Sequence, residues 1–282
     1  MRASDGETAY FRSYRGTIPD MLVNCFHTLT GFAFLLLLAG SAQAYDAENL
    51  VVARQGSMPV IFAVPHDGVD PVPGVPPRSQ GTTVRDLNSR VLAERAADLI
   101  EKRTGKRPYL VVAKFSRKFV DANRAEHEAL ESPEALPAYR AYHVHLAAFI
   151  AEVRQRYPGG ALLIDVHGQA SDAGTVFRGT RNGWTVKSLV ARHGEAAILG
   201  EASLIGPFQA AGWQVHPTEP GAKEHTKYNG GNTVFAYGSN NPQGIDAIQL
   251  EFGKSMRDDP RAAEAFADAV ISFERKYLSD SK

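Results

Sequence analysis

Pro59-Val-Ile-Phe-Ala-Val-Pro-His-Asp-Gly68 opens as an unbroken apolar run and ends on a histidine two residues before a glycine. The run is short, partly β-branched and uncharged, which is the pattern of a strand buried on both faces. Ala161-Leu-Leu-Ile-Asp-Val-His-Gly168 is built the same way further along the chain. In both, the histidine stands where the strand gives out at its carboxyl edge. Tyr109-Leu-Val-Val-Ala113 and Asp246-Ala-Ile-Gln-Leu-Glu-Phe252 read as two more buried strands, and Trp213–Val215 as a short one.

Between these runs the period changes to that of a helix. Over 83–103, Val84, Leu87, Val91, Leu92, Leu99 and Ile100 fall near one face, with Thr83 as N-cap, Asp86 at the capping-box position and Gly105 as the stop. Pro137–Tyr157 turns Leu146, Phe149, Ile150 and Val153 inward and ends at Pro158-Gly159-Gly160. Residues 195–211 and the amphipathic stretch Pro260–Tyr277 read as further helices. Alternating β and α segments predict an α/β fold: a mainly parallel (mixed) sheet with helices on both faces. The Pro/Gly-rich segment 67–81 and the long polar segment 217–244 read as binding loops.

Composition excludes several classes. Of 282 residues 44% are hydrophobic and 22% charged, which rules out a disordered or collagen-like chain. Lys+Arg and Asp+Glu are each 31, so nothing favours a protein that coats nucleic acid or an anionic membrane. A single cysteine excludes an intrachain disulfide and Cys-rich zinc modules. Gly31-Phe-Ala-Phe-Leu-Leu-Leu-Leu-Ala-Gly40 is too short to span a bilayer and is followed by Ser41-Ala42-Gln43-Ala44, small residues suited to signal peptidase. We therefore expect a signal peptide over 1–44, with Met21 an alternative start, and a single mature domain over 45–282. The competing reading is an uncleaved anchor. Export to the periplasm or exterior, without stable membrane insertion after cleavage, suits a mature chain from which the only cysteine, Cys25, has been removed.

Without cysteine, any metal site must be built from His, Asp and Glu. His127-Glu128 lacks the second histidine of a helical zinc motif, and His143 and His145, two apart on a helix, do not share a face. His66 and His167 differ from these, because each ends a buried strand at the sheet edge where α/β proteins bind ligands. They form the expected metal pair. Catalytic zinc takes three protein ligands and one open position. Asp86 is the candidate third ligand and reads equally as a capping carboxylate; Glu94 is the weaker alternative. Asp165 shares strand alternation with His167 and suits a carboxylate that holds the ring from behind. Glu251, a carboxylate in an apolar strand, is either a general base or half of a structural ion pair. The cationic segment 114–124 is either solvated or an anion site.

Val64-Pro-His-Asp-Gly68, Phe115-Ser-Arg-Lys-Phe-Val-Asp-Ala-Asn-Arg124, Leu163-Ile-Asp-Val-His167, Lys227-Tyr-Asn-Gly-Gly231 and Ile248-Gln-Leu-Glu251, in this order, resemble the N-formylglutamate amidohydrolase family, relatives of the zinc carboxypeptidases and aspartoacylase-like hydrolases. The resemblance implies a zinc-exopeptidase (phosphorylase/hydrolase-like) architecture. It implies zinc on His66, Asp86 and His167, Glu251 as general base and Arg117 as the group polarising the scissile carbonyl. Asn123, Arg124 and Asn229 would bind the substrate. Val69 departs from the zinc carboxypeptidases, which place a glutamate there, and segment 168–183 does not align.

The expected activity is metal-dependent hydrolysis of the amide bond in an N-acyl amino acid such as N-formylglutamate. Two other functions compete: an exported peptidase or amidase acting on cell-wall or poly-glutamate material, and a secreted binding protein that kept the fold without catalysis. The expected partner is a small N-acyl amino acid or short peptide rather than nucleic acid.

Overall fold

The computed structural model describes residues 45–219 and 221–279; the expected signal segment lies outside them. Seven strands form one sheet in the order β1-β3-β2-β4-β7-β5-β6. They are β1 (Val51–Arg54), β2 (Val60–Val64), β3 (Tyr109–Ala113), β4 (Leu162–Gln169), β5 (Thr175–Gly179), β6 (Gln214–His216) and β7 (Asp246–Gly253). The inner four, β3-β2-β4-β7, run parallel. β1 is antiparallel to β3 and β5 to β7, with β6 parallel to β5, so the sheet is mixed at its margins.

Three long helices cover it: α1 (Ser89–Thr104), α2 (Leu136–Arg156) and α3 (Pro260–Phe273). Strand alternation divides the core. Phe62, Ile164, Leu250 and Phe252 face α1 and α3. Ile61, Val111, Leu163 and Ala247 face Tyr142, Leu146, Ile150 and Val153 of α2. Phe62 stacks on Phe266 with centroids 5.0 Å apart, and Phe252 lies 5.2 Å from the same ring. Each such ring contributes about 2–3 kcal/mol through burial. The chain leaves β2 for β3 through α1, then crosses back through α2 to β4 on the other side of β2. That reversal opens a crevice at the carboxyl ends of β2 and β4, where ligands bind in such sheets.

The alternating pattern carries the site. On the α2 side, β4 presents Leu163, Asp165 and His167, and β7 presents Ala247, Gln249 and Glu251; the two series are in register, Asp165 beside Gln249 and His167 beside Glu251. Each series passes from apolar to polar as it nears the carboxyl edge.

Several expected boundaries move. The helix expected over 83–103 begins only at Ser89, Thr83 caps nothing, and Val84 stays 71% exposed. Asn88 precedes the helix in the left-handed region, φ 66°, with no side-chain cap of its own. The capping carboxylate comes instead from Asp67, which accepts from the Asn88 N–H at 3.2 Å, the Arg90 N–H at 2.8 Å and Arg85 Nε at 2.6 Å. Asp86 is thereby freed from the helix. Replacing Asp67 with alanine is expected to lower stability by about 1–2 kcal/mol, the usual cost of a lost cap, measured by urea unfolding.

The helix expected over 195–211 is two short turns, Ala196–Leu199 and Gly206–Ala210, because Gly200 and the Gly206-Pro207 pair interrupt it. β1 and β5 escape the sequence pattern: β1 is a four-residue edge strand, and β5 buries a charged residue, Arg178. Among the described residues of segment 217–244 there is one helical stretch, Asn232–Tyr237. Its Glu224 carboxylate accepts from Arg178 Nη2 at 2.9 Å and from the Thr180 and Asn182 N–H groups at 2.8 Å, which ties the loop to the end of β5.

Candidate active site

His66 leaves β2 through Pro65, and its loop runs tightly against the end of β3. A Cβ on Gly68 would lie 2.2 Å from Phe115 O, so only glycine fits there. The His66 carbonyl accepts from the Asp86 N–H at 3.0 Å, which together with the Asp67 cap sets Asp86 beside His66. β4 extends past its apolar run to Gln169, so His167 lies within the strand rather than after it.

The two histidines are neighbours, with ring centroids 4.7 Å apart. His66 Nδ1, His167 Nδ1 and Asp86 Oδ2 converge: the two nitrogens are 3.1 Å apart, and the oxygen lies 3.4 Å from the first and 3.0 Å from the second. A tetrahedral ion with bonds of about 2.0–2.1 Å separates its ligands by about 3.3 Å, so the three atoms already sit near the edges of one tetrahedral face. Two imidazoles and a carboxylate are also a donor set that divalent zinc accepts. The residues present fit such an ion.

The outer ring nitrogens are held in turn. His66 Nε2 lies 2.7 Å from Asp121 Oδ1, and Asp121 Oδ2 accepts from Arg117 Nε at 2.9 Å. His167 Nε2 lies 2.9 Å from Asp165 Oδ2, out of line for a hydrogen bond, and 2.9 Å from Asn123 Nδ2. Burial alone would raise the Asp86 carboxyl, but the bonds and charge of His167 and His66 hold it well below the ordinary carboxylate range. Asp121 is likewise held low against its burial by His66 and Arg117. Burial would lower His167, yet Asp165, Asp86 and Glu251 raise it well above the usual histidine value.

Glu251 sits beside His167 in register and is 9% exposed. Desolvation pushes its carboxyl up to about 7, with Asp86 and Asp165 adding to the rise and His167 and His66 opposing it. Gln249 Nε2 donates to Glu251 Oε1 at 3.0 Å, and the Gly231 N–H donates to Gln249 Oε1 at 2.7 Å, so one carboxylate oxygen is fixed and the other is left free.

These groups line a cleft of about 550 Å³ that also contains Arg117, Arg124, Asn229 and Arg257. Arg117 is committed to Asp121, with Nη1 4.0 Å from Asp86 Oδ1. Arg124 is half-exposed, its Nε 3.9 Å from Asp121 Oδ2. Asn123 Oδ1 accepts from the Thr233 N–H at 2.7 Å, and its Nδ2 lies 2.9 Å from His167 Nε2, so the amide packs against the ring at the wall of the cleft. Glu94 pairs with Arg54 and Arg90, away from the cleft. His143 bonds Tyr237 and the Ala122 carbonyl, His145 bonds Glu48, and His127 is exposed.

Sequence reasoning missed three residues. Asp121 carried a signal, four residues after Arg117, and Gln249 carried another, two before Glu251 on the same strand face. Arg257 carried none.

The architecture is that of the N-formylglutamate amidohydrolase fold, as the ordered motifs implied. Among solved structures, N-formylglutamate amidohydrolase from Ralstonia eutropha matches with TM-score 0.53 and 15% identity, covering 81% of this chain and 98% of that one. A gene product of Agrobacterium tumefaciens matches with TM-score 0.47 and 16% identity over 82% of this chain and 95% of its own. A bacteriophage poly-gamma-glutamate hydrolase gives 0.42 and 12%, over 80% and 88%. No family model matches the sequence, and no curated protein does.

Proposed function

We propose that the chain is a zinc-dependent amidohydrolase that cleaves the amide of an N-acyl amino acid such as N-formylglutamate. The observation that carries this reading is the convergence of His66 Nδ1, His167 Nδ1 and Asp86 Oδ2 beside a buried carboxylate, Glu251. Zinc held by these three groups would supply Lewis acidity and lower the pKa of water toward neutrality.

Glu251 takes the proton of the attacking water on its free oxygen and later delivers it to the leaving nitrogen. Gln249 holds the other oxygen, which fixes the direction of that transfer. Asp121 keeps the His66 imidazole oriented, and the Asp165 carboxylate, 2.9 Å from His167 Nε2, sets a negative charge beside the other ring. Arg117 stands between Asp121 and Asp86 and steadies negative charge that develops on the carbonyl oxygen, a contribution of about 3 kcal/mol for one such donor. Arg124 and Asn229 place the substrate carboxylate at the mouth of the cleft. Export after cleavage of 1–44 is part of the same proposal.

Chelator should abolish hydrolysis of N-acyl amino acids, and added zinc should restore it. Turnover indifferent to both would end the metallohydrolase reading. Reversible zinc binding with no hydrolysis across a panel of N-acyl amino acids and short peptides would favour a binding protein.

A further inference from the structure

A second cavity, of about 730 Å³, lies beside β5 and shares no lining residue with the cleft above. Val190, Ile198 and Leu199 give it an apolar side, and Trp184 stands in it 49% exposed. Four cations also line it, Arg178, Arg181, Lys187 and Lys223, against the carboxylate of Glu195. Arg178 is spent, since Glu224 accepts from its Nε at 3.1 Å and its Nη2 at 2.9 Å. Among the described residues no carboxylate oxygen lies within 4.0 Å of a nitrogen of Arg181, Lys187 or Lys223. Aromatic faces hold two of these cations instead. Arg181 Cζ lies 4.5 Å from the centroid of Phe235, and Lys187 Nζ 5.6 Å from that of Trp184. The two rings meet edge to face, 6.0 Å apart. Such contacts steady a cation without neutralising it.

The backbone is strained to present them. Arg181 and Asn182 are both left-handed, φ 50° and 54°, a region that residues other than glycine seldom enter. Glu224 Oε2 holds the turn by accepting from the Thr180 and Asn182 N–H groups at 2.8 Å, and the Arg181 N–H donates to Asn229 O at 2.6 Å. Strain of this kind persists where neighbours over-determine it, and it gathers at ligand sites. An apolar hollow with a few convergent charged groups is also the usual form of a small-molecule site. We propose that this cavity is a second ligand site, for a small molecule that joins a planar ring to an anionic group. The ring lies on Trp184 and the apolar side; Arg181 and Lys187 take the anion. The exposed indole selects the ring, and the excess of positive charge selects the anion, which a phosphate or a carboxylate supplies equally. The site does not depend on the hydrolase reading.

The test is calorimetry with two probes, adenosine monophosphate and 1-naphthoate, in the presence of chelator so that no metal in the cleft competes. Adenosine and inorganic phosphate serve as the ring and the anion alone. At least one probe should bind about tenfold or more tightly than either half, because each half forgoes one set of contacts. Arg181→Met should weaken that probe about tenfold to a hundredfold, the range for losing a hydrogen bond to a charged group. Trp184→Ala should weaken it about fivefold to a hundredfold, the range for losing a stacked ring. Binding should also fall as salt is raised. If Arg181→Met does not fold, Lys187→Met and Trp184→Ala, both at exposed positions, carry the test. Binding of the monophosphate alone assigns the site to phosphates, of naphthoate alone to carboxylates, and of both to either; all three support it. No binding of either probe at millimolar concentration overturns the proposal, and so does equal affinity in Trp184→Ala. Adenosine or phosphate binding as tightly as the probe overturns it too. A loss in Arg124→Met as large as in Arg181→Met would place the probe in the cleft and end the proposal.

Discussion

Glu251→Gln is expected to lower kcat by between about a hundredfold and ten-thousandfold, the range for losing a general acid–base. Glutamine matches the shape of glutamate and can still meet Gln249, but it cannot accept a proton. Glu251 lies outside the converging His–Asp–His atoms, so zinc content should be unchanged. Near-normal turnover would make Glu251 a structural charge. The pH profile gives the same answer independently. Burial pushes Glu251 up to about 7. A divalent cation nearby favours the charged form and moves that value down. Only ionised Glu251 can act as base, so kcat/KM should fall as pH drops, with the acid limb below 7. The residual activity of Glu251→Gln should lack that limb.

Asp86→Ala and His167→Ala are each expected to abolish zinc binding at micromolar metal, and hydrolysis with it. Three ligands hold the ion, and removing one takes away a quarter of a tetrahedral shell rather than its support. Asp121→Asn gives the scale. It disturbs only the outer nitrogen of His66 and should weaken zinc by about tenfold to a hundredfold, as losses of outer partners do. Weaker effects for Asp86→Ala than for Asp121→Asn, read by competition with a chromophoric chelator, would remove Asp86 from the ligand set.

Much of this site was legible because the sheet has a two-residue period. Leu163-x-Asp165-x-His167 and Ala247-x-Gln249-x-Glu251 show, without coordinates, one face turning polar toward the carboxyl edge. His66 followed from the same logic. What the sequence could not supply was adjacency. That His66 and His167 meet depends on β2 and β4 being paired, which only the order of strands decides. Asp86 carried two readings of equal weight, ligand and capping carboxylate, and the structure separates them. Its spacing from Thr83 fits a capping box, yet a carboxylate from the β2 loop caps the helix and Asp86 turns to the histidines. Local propensity lost to a contact between distant segments. Arg257, which lines the cleft and donates to the carbonyls of Leu87, Gln169 and Phe252, was invisible because main-chain partners leave no trace in side-chain pattern.

The most direct test is anomalous scattering at the zinc edge from crystals of the protein grown with zinc. One strong peak per chain is predicted, at about 2.0–2.2 Å from His66 Nδ1, His167 Nδ1 and an Asp86 oxygen. A cleft without anomalous signal, or a peak bound by other residues, would contradict the account.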